Sequence, residues 1–218
     1  MSGSWLPIVG THSAWGRVPA DFYPTPPEVT QALLDFYNGS FPRRVWEPAC
    51  GDGTMVSTLQ ANGHQVVGTD LFDRGCGTGG VDFFSADPDA HPADALVTNP
   101  PFTLAEQFIE RALLLDRYQV VAMVLKSQYW HAKSRESLFR RFPPTWVLPL
   151  TWRPSFLEEE RGNNPLMDVL WTVWDRGQPR GLTCYQPLLR PKAAPEVPLW
   201  VRINRWRAAR QALTYAAS

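Results

Sequence analysis

Residues 45–63 read VWEPACGDGTMVSTLQANG. Val45-Trp46 ends a short apolar strand, and Glu47–Gly53 is a turn with two glycines two apart. Met55, Val56 and Leu59 then mark the apolar face of a helix that stops at Asn62-Gly63. The alternation continues outward from this unit. Gln65–Thr69, Asp94–Thr98, Val120–Leu125, Trp146–Leu150 and Val169–Trp174 read as strands. Thr25-Pro26-Pro27-Glu28 starts a helix with Thr25 as its N-cap, and Asn38-Gly39 stops it. Leu104, Phe108 and Leu115 mark a further helix, as do Ala132–Phe142 and the basic Ile203–Leu213. The pattern predicts an α/β fold with helices on both faces of a sheet. Ligands of such sheets bind beyond the carboxyl ends of the strands. Attention therefore falls on Glu47–Gly53, Asp70, Asp82-Phe83, Asn99–Phe102 and Lys126–Trp130.

The 218 residues suit one ordinary domain, and 44% apolar content is too high for a disordered chain. Val120–Leu125 is the longest aliphatic run, well short of the roughly 20 residues a bilayer requires. The N-terminus shows no signal-peptide pattern. Cys50, Cys76 and Cys184 make neither a disulfide framework nor a metal-ligand pair, and four histidines lack ligand spacing. A reduced, cytoplasmic, metal-free protein is expected. Net charge is zero but unevenly placed. Residues 1–125 hold 6 Lys/Arg and 14 Asp/Glu; residues 126–218 hold 15 and 7. A basic half suggests a polyanion partner, whereas a solvated surface with segregated charge explains it equally well.

Two constellations carry chemistry. In the first, the Glu47–Gly53 turn lets backbone approach a ligand, with neither a phosphate-loop Lys nor the full three-glycine dinucleotide fingerprint. Asp70, 23 residues past Glu47, is placed to accept from ribose hydroxyls. Asp82 could take an exocyclic amine and Phe83 cover a purine face. Together they favour a nucleoside cofactor without a pyrophosphate. In the second, Asn99-Pro100-Pro101-Phe102 follows a buried strand. The prolines restrict the turn, so that the Asn99 side-chain oxygen and the Pro100 carbonyl form two acceptors aimed at one spot. Two acceptors suit the two N–H donors of a planar exocyclic amine and free its lone pair for attack. Phe102 offers a ring for stacking the base.

With Asp21-Phe22-Tyr23-Pro24-Thr25-Pro26 preceding them, these motifs resemble the ordered set of S-adenosylmethionine-dependent amino-methyltransferases. The nearest likeness is to DNA adenine-N6 methyltransferases of the compact phage and prophage type, over roughly residues 19–176. The resemblance implies a Rossmann-like class I fold: seven strands, mostly parallel, with the last (near 169–174) antiparallel. It implies an irregular arm at 1–20, a methyltransferase domain at 21–176 and a Pro-rich, basic extension at 177–218 packed on that domain. Phe22, Tyr23 and Thr25 would lie at the methionine end of S-adenosyl-L-methionine. Glu47, Pro48, Ala49, Gly51 and Gly53 would border its methionine and sulfonium. Asp70 would take the ribose, and Asp82 and Phe83 the adenine. Asn99, Pro100, Pro101 and Phe102 would hold a target adenine flipped from its stack. No covalent intermediate is required, so Cys50 reads as packing.

Cys76–Gly80 follows no strand and reads as a flexible loop. Lys126, Tyr129, Trp130, Lys133, Arg135 and Arg205 are candidate nucleic-acid contacts, with Arg140, Arg141, Arg202, Arg207 and Arg210 beside them. Rim packing and an exposed basic helix face are the competing readings. The short extension after the last expected strand suggests relaxed or short sequence preference, read by loops at 73–80, 127–134 and 153–166. RNA adenine fits the same chemistry. A protein glutamine methyltransferase shares the Asn-Pro-Pro start but usually has Tyr fourth, against Phe102 here. A non-catalytic nucleic-acid binder would not need both constellations. Oligomeric state is not written in the sequence.

Overall fold

The computed structural model describes residues 22–156, 167–179 and 181–216, with side chains given to residue 207. The expected arm at 1–20, residues 157–166 of the expected recognition loop at 153–166, and the Arg210 side chain lie outside what is described. Seven strands form one sheet: β1 (Arg44–Glu47), β2 (Gln65–Gly68), β3 (Ala95–Thr98), β4 (Val120–Lys126), β5 (Trp146–Pro149), β6 (Val169–Asp175) and β7 (Cys184–Tyr185). Their order is β2-β1-β3-β4-β6-β5-β7. β6 alone runs against the rest, antiparallel to both β4 and β5. It is not the last strand, however. β7 follows it and pairs parallel with β5, so the sheet draws on the segment expected to be an extension. Two residues with no apolar pattern carry no strand signal of their own; the β5 edge supplies it.

Alternate residues of each strand serve opposite faces. Val45, Ala95, Val97, Ala122 and Val124 meet Val29 and Leu33 of α1 (Pro27–Tyr37) and Met55 and Leu59 of α2 (Thr54–Ala61). Trp46, Leu96, Met123 and Leu125 meet Phe108, Ile109 and Ala112 of α3 (Ala105–Leu114) and Leu138 of α4 (Glu136–Arg141). This two-sided burial is why Val120–Leu125 reads as continuous apolar sequence. The two fully buried indoles of the sheet are satisfied: Trp46 donates to Thr69 Oγ1 at 3.0 Å and Trp171 to the Val29 carbonyl at 2.9 Å.

Three local expectations change. α1 begins at Pro27 with Pro26 as its cap, and no side chain caps it. Prolines need no capping acceptor, so Thr25 is released from that duty. The expected 132–142 helix is divided into a 3-10 turn at Lys133–Arg135 and α4, and a separate 3-10 turn at Ser127–His131 precedes it. The Cys76–Gly80 loop is pinned to the sheet edge. Thr78 N donates to the Gly68 carbonyl at 3.0 Å, and Asp70 N donates to the Thr78 carbonyl at 3.1 Å. Gly77, at φ +62°, lies so close that a Cβ there would stand 2.0 Å from the Gly68 oxygen.

The charge asymmetry of the sequence is folded away. Arg135–Glu106, Arg141–Glu110, Arg176–Asp116, Arg190–Glu28 and Arg205–Asp52 each join a base of the second half to an acid of the first. Segregation along the chain is thus partly neutralised in space, and it no longer argues by itself for a polyanion. Among the described residues no helix is long and apolar enough to cross a membrane, and no cluster of potential metal ligands is found.

Candidate active site

The strand order reverses around β1, whose neighbours are β2 on one side and β3 on the other. Crevices form at such switch points. A cavity of about 540 Å³ opens there, between the ends of β1 and β3. Its walls include Phe22, Tyr23, Thr25, Glu47, Pro48, Ala49, Gly51, Asp70, Asp82, Phe83, Asn99 and Pro101. Residues of both constellations therefore border one space. Gly53, Pro100 and Phe102 are not among its walls.

The glycine turn is shaped for close approach. Gly51 has φ +55°, and a Cβ on it would stand 2.9 Å from the Phe22 ring. Its N–H donates to Asp70 Oδ2 at 2.9 Å, and Phe72 N–H donates to Asp70 Oδ1 at 2.8 Å. These bonds aim the carboxylate, and each oxygen keeps a lone pair for a hydroxyl. Burial raises the Asp70 pKa, with the two N–H donors and Arg74 opposing. Gly53 has another purpose. At φ +88° its Cβ would strike Cys76 Sγ at 2.6 Å and Trp200 at 2.7 Å. It lets α5 (Leu199–Ala216) and the 76–80 loop close on the turn rather than admitting a ligand.

Glu47 ends β1 only 2% exposed, and its Oε2 has no hydrogen-bond partner. Burial holds its carboxyl well above the ordinary glutamate range, helped by Cys76, Asp52 and Asp70. Such an oxygen on a cavity wall calls for a cation or a donor from a ligand. Cys50 is spent on packing: its thiol donates to the Cys76 carbonyl at 3.2 Å, and the adjacent Cys76 side chain together with burial pushes its titration far up.

Asn99 stands at the end of β3. Its Nδ2 donates to the Tyr23 carbonyl at 3.0 Å and to Thr25 Oγ1 at 3.1 Å. Its Oδ1 is buried and accepts nothing. The neighbouring Phe102 ring lies 5.5 Å from that of Tyr23, and Lys126 Nζ sits 4.3 Å from the Phe102 centroid.

The remaining expected residues divide. Phe83 is 2% exposed, stacked on Phe108 at 4.7 Å and edge-on to Trp46 at 5.4 Å, so core packing holds most of its surface. Phe84, half-buried on the same wall, was missed; its place beside Asp82 was the available signal. Asp82 Oδ1 accepts from Phe84 N–H at 2.9 Å. Arg74, Leu71 and Phe72 also line the cavity without any sequence signal beyond following Asp70. Arg74 stacks 4.2 Å over Phe22, and Leu71 and Phe72 are half exposed at 55% and 50%.

Lys126 lies beside the Asn99 turn, and Lys133 is exposed beyond it. Tyr129, Trp130 and Arg135 are tied into a small cluster instead. Trp130 stacks on Phe139 at 4.1 Å, and Arg135 covers the Tyr129 ring while pairing with Glu106. Arg205 is corrected from phosphate contact to internal partner. Its Nε donates to Asp52 Oδ2 and its Nη2 to Thr54 Oγ1, both at 2.8 Å.

No family model matches the chain, and no curated protein matches it in sequence. Solved structures do resemble it. The methyltransferase subunit of a type I restriction-modification system from Streptococcus thermophilus aligns at TM-score 0.55 and 12% identity, over 86% of this chain and 53% of that one. This chain thus spans about half the length of that subunit. A provisionally named hemolysin from Lactococcus lactis aligns at 0.52 and 9%, over 73% and 90%. A dimethyladenosine transferase from Plasmodium falciparum aligns at 0.49 and 13%, over 70% and 62%. At these identities the likeness is one of architecture: the chain has the Rossmann-like fold of class I methyltransferases, one strand antiparallel in an otherwise parallel sheet.

Proposed function

We propose that this chain is an S-adenosylmethionine-dependent methyltransferase acting on the N6 amine of adenine in DNA. One observation carries the reading: Asn99, a residue lining the cavity at the end of β3, has a buried side-chain oxygen without a hydrogen-bond partner. The order of the motifs and the fold shared with a restriction-modification methyltransferase subunit support it.

The residues present fit the cofactor. Glu47 Oε2 is an unsatisfied carboxyl oxygen suited to a ligand carrying positive charge, and the aimed Asp70 carboxylate suits a ribose diol. S-adenosylmethionine, when bound, supplies an electrophilic methyl carbon on sulfur. Asn99 Oδ1, with the Pro100 carbonyl, accepts the two N–H bonds of the base. That draws the amine out of conjugation with its ring and leaves its lone pair available. The acceptors act most strongly as positive charge grows on nitrogen, and holding the base in place lowers the entropic part of the barrier. Proton loss follows from a nitrogen already held by acceptors. Phe102 and Tyr23 offer faces against which the base can stack.

The test is nucleoside mass spectrometry after incubation with S-adenosylmethionine and unmethylated duplex DNA, single-stranded DNA or RNA. N6-methyldeoxyadenosine is expected in DNA. Modification of RNA alone would transfer the site assignments to another polymer, and no modified base in any polymer would overturn the reading. Asn99→Ala should cost at least about 100-fold in turnover, as loss of one transition-state hydrogen bond does elsewhere. S-adenosylhomocysteine binding should persist in that variant. Near-normal turnover would remove Asn99 from the chemistry.

A further inference from the structure

We propose that Thr25, together with the main-chain carbonyl of Tyr23, is a positioning element that decides which end of the Asn99 amide faces the cavity. This rests on the function proposed above and assigns Thr25 a task other than cofactor contact.

The two ends of a carboxamide have nearly the same shape, so packing alone does not choose between them. Hydrogen-bond chemistry does. The Tyr23 carbonyl can only accept, and it lies 3.0 Å from the Asn99 amide nitrogen. Thr25 Oγ1 takes the second N–H at 3.1 Å. Both donors are consumed, and Oδ1 is left buried and unpartnered. All three residues stand on the same cavity wall. In a flipped amide, Oδ1 would meet the Tyr23 carbonyl with no proton between them. Two donors would then point at a substrate amine that is itself a donor. The clamp therefore separates an acceptor site from one that repels its substrate.

The local sequence makes Thr25 available for this. Pro26 and Pro27 have no N–H to offer its hydroxyl, and α1 starts without a side-chain cap. A β-branched side chain is also stiff at χ1, so the hydroxyl is held in place before any ligand arrives.

The test compares Thr25→Val, which keeps the shape and loses the acceptor, with Thr25→Ser, which keeps the acceptor. For Thr25→Val, kcat should fall about tenfold, the worth of one hydrogen bond. Its KM for DNA and its affinity for S-adenosylhomocysteine should stay within about twofold. Thr25→Ser should restore most of kcat. Hydrogen exchange of the Asn99 side-chain amide, followed by NMR in the unliganded protein, should be faster in Thr25→Val than in wild type or Thr25→Ser. The proposal is overturned if Thr25→Val loses cofactor-analogue affinity with kcat intact. It is equally overturned if the serine variant is as impaired as the valine one, or if amide exchange is unchanged. Wild-type protein that methylates nothing would defeat the function reading instead, and amide exchange would still decide whether the clamp exists.

Discussion

Arg205→Ala separates two accounts of the basic terminal helix. As a phosphate contact, Arg205 would contribute to nucleic-acid affinity and little to stability. The structure assigns the reverse. The side chains of Arg205 and Asp52 are 15% and 2% exposed. Truncation removes the 2.8 Å bonds to Asp52 Oδ2 and Thr54 Oγ1, leaving a buried carboxylate without its cation. Removing one partner of a buried pair costs about 3–5 kcal/mol. Asp52 Oδ1 keeps its bonds from Thr54 N–H and Oγ1, at 2.9 and 2.7 Å, which favours the lower end, about 3 kcal/mol. For a chain of this size that is a fall of about 6–12 °C in Tm. Pairing the change with Asp52→Asn should recover part of the loss, because no uncompensated charge then remains. Exposed Arg207→Ala should stay within about 0.5 kcal/mol. Urea and thermal unfolding measure the first effect, and the salt dependence of DNA binding measures its rival. Each phosphate contact contributes about 0.9 to the slope of log affinity against log salt. Unchanged stability with a slope reduced by that amount would refute the internal ion pair.

Other expectations follow from the same geometry. Burial holds the Glu47 carboxyl above its ordinary 4.5, so the folded protein keeps a proton that the unfolded chain releases. This contribution to stability is complete below that value and is lost as pH rises through the raised folded one. Glu47→Gln should flatten the decline in urea-unfolding free energy with pH, and equal slopes in both proteins would show that Glu47 is not its source. Gly77→Ala, at φ +62° with its Cβ directed at the Gly68 oxygen, should cost more than about 2 kcal/mol. Gly63→Ala, at φ +84° in open space, should cost only about 1 kcal/mol. Denaturant midpoints for the two alanine variants check the contrast.

The places to search were legible because they follow from short-range pattern. A short strand-forming run that stops at Glu47, Asp70 or Asn99 marks the carboxyl end of a strand. In a parallel sheet those ends share one edge. The roles within that edge were less legible. Phe83 and Phe84 are adjacent aromatics, and nothing local says which ring Phe108 and Trp46 claim for the core. Thr25 carries every sign of an N-cap, yet its hydroxyl serves Asn99, 74 residues away. The acidic and basic halves look like two surfaces until five ion pairs across the fold join them.

The alternation of strand and helix, the two-sided sheet and the Asn-Pro-Pro-Phe turn after β3 are written in local sequence. Those features depend on periodicity, on the glycines and prolines of the turns, and on residues within a few positions of one another. The place of β1 between β2 and β3, the pairing of Arg205 with Asp52, and the two hydrogen bonds that Asn99 Nδ2 gives to Tyr23 and Thr25 arise only in the packed fold. Each of these is a choice between partners distant in sequence. Burial makes an unpaired polar group costly, and only the packed fold determines which groups are buried and what stands within hydrogen-bond reach of them.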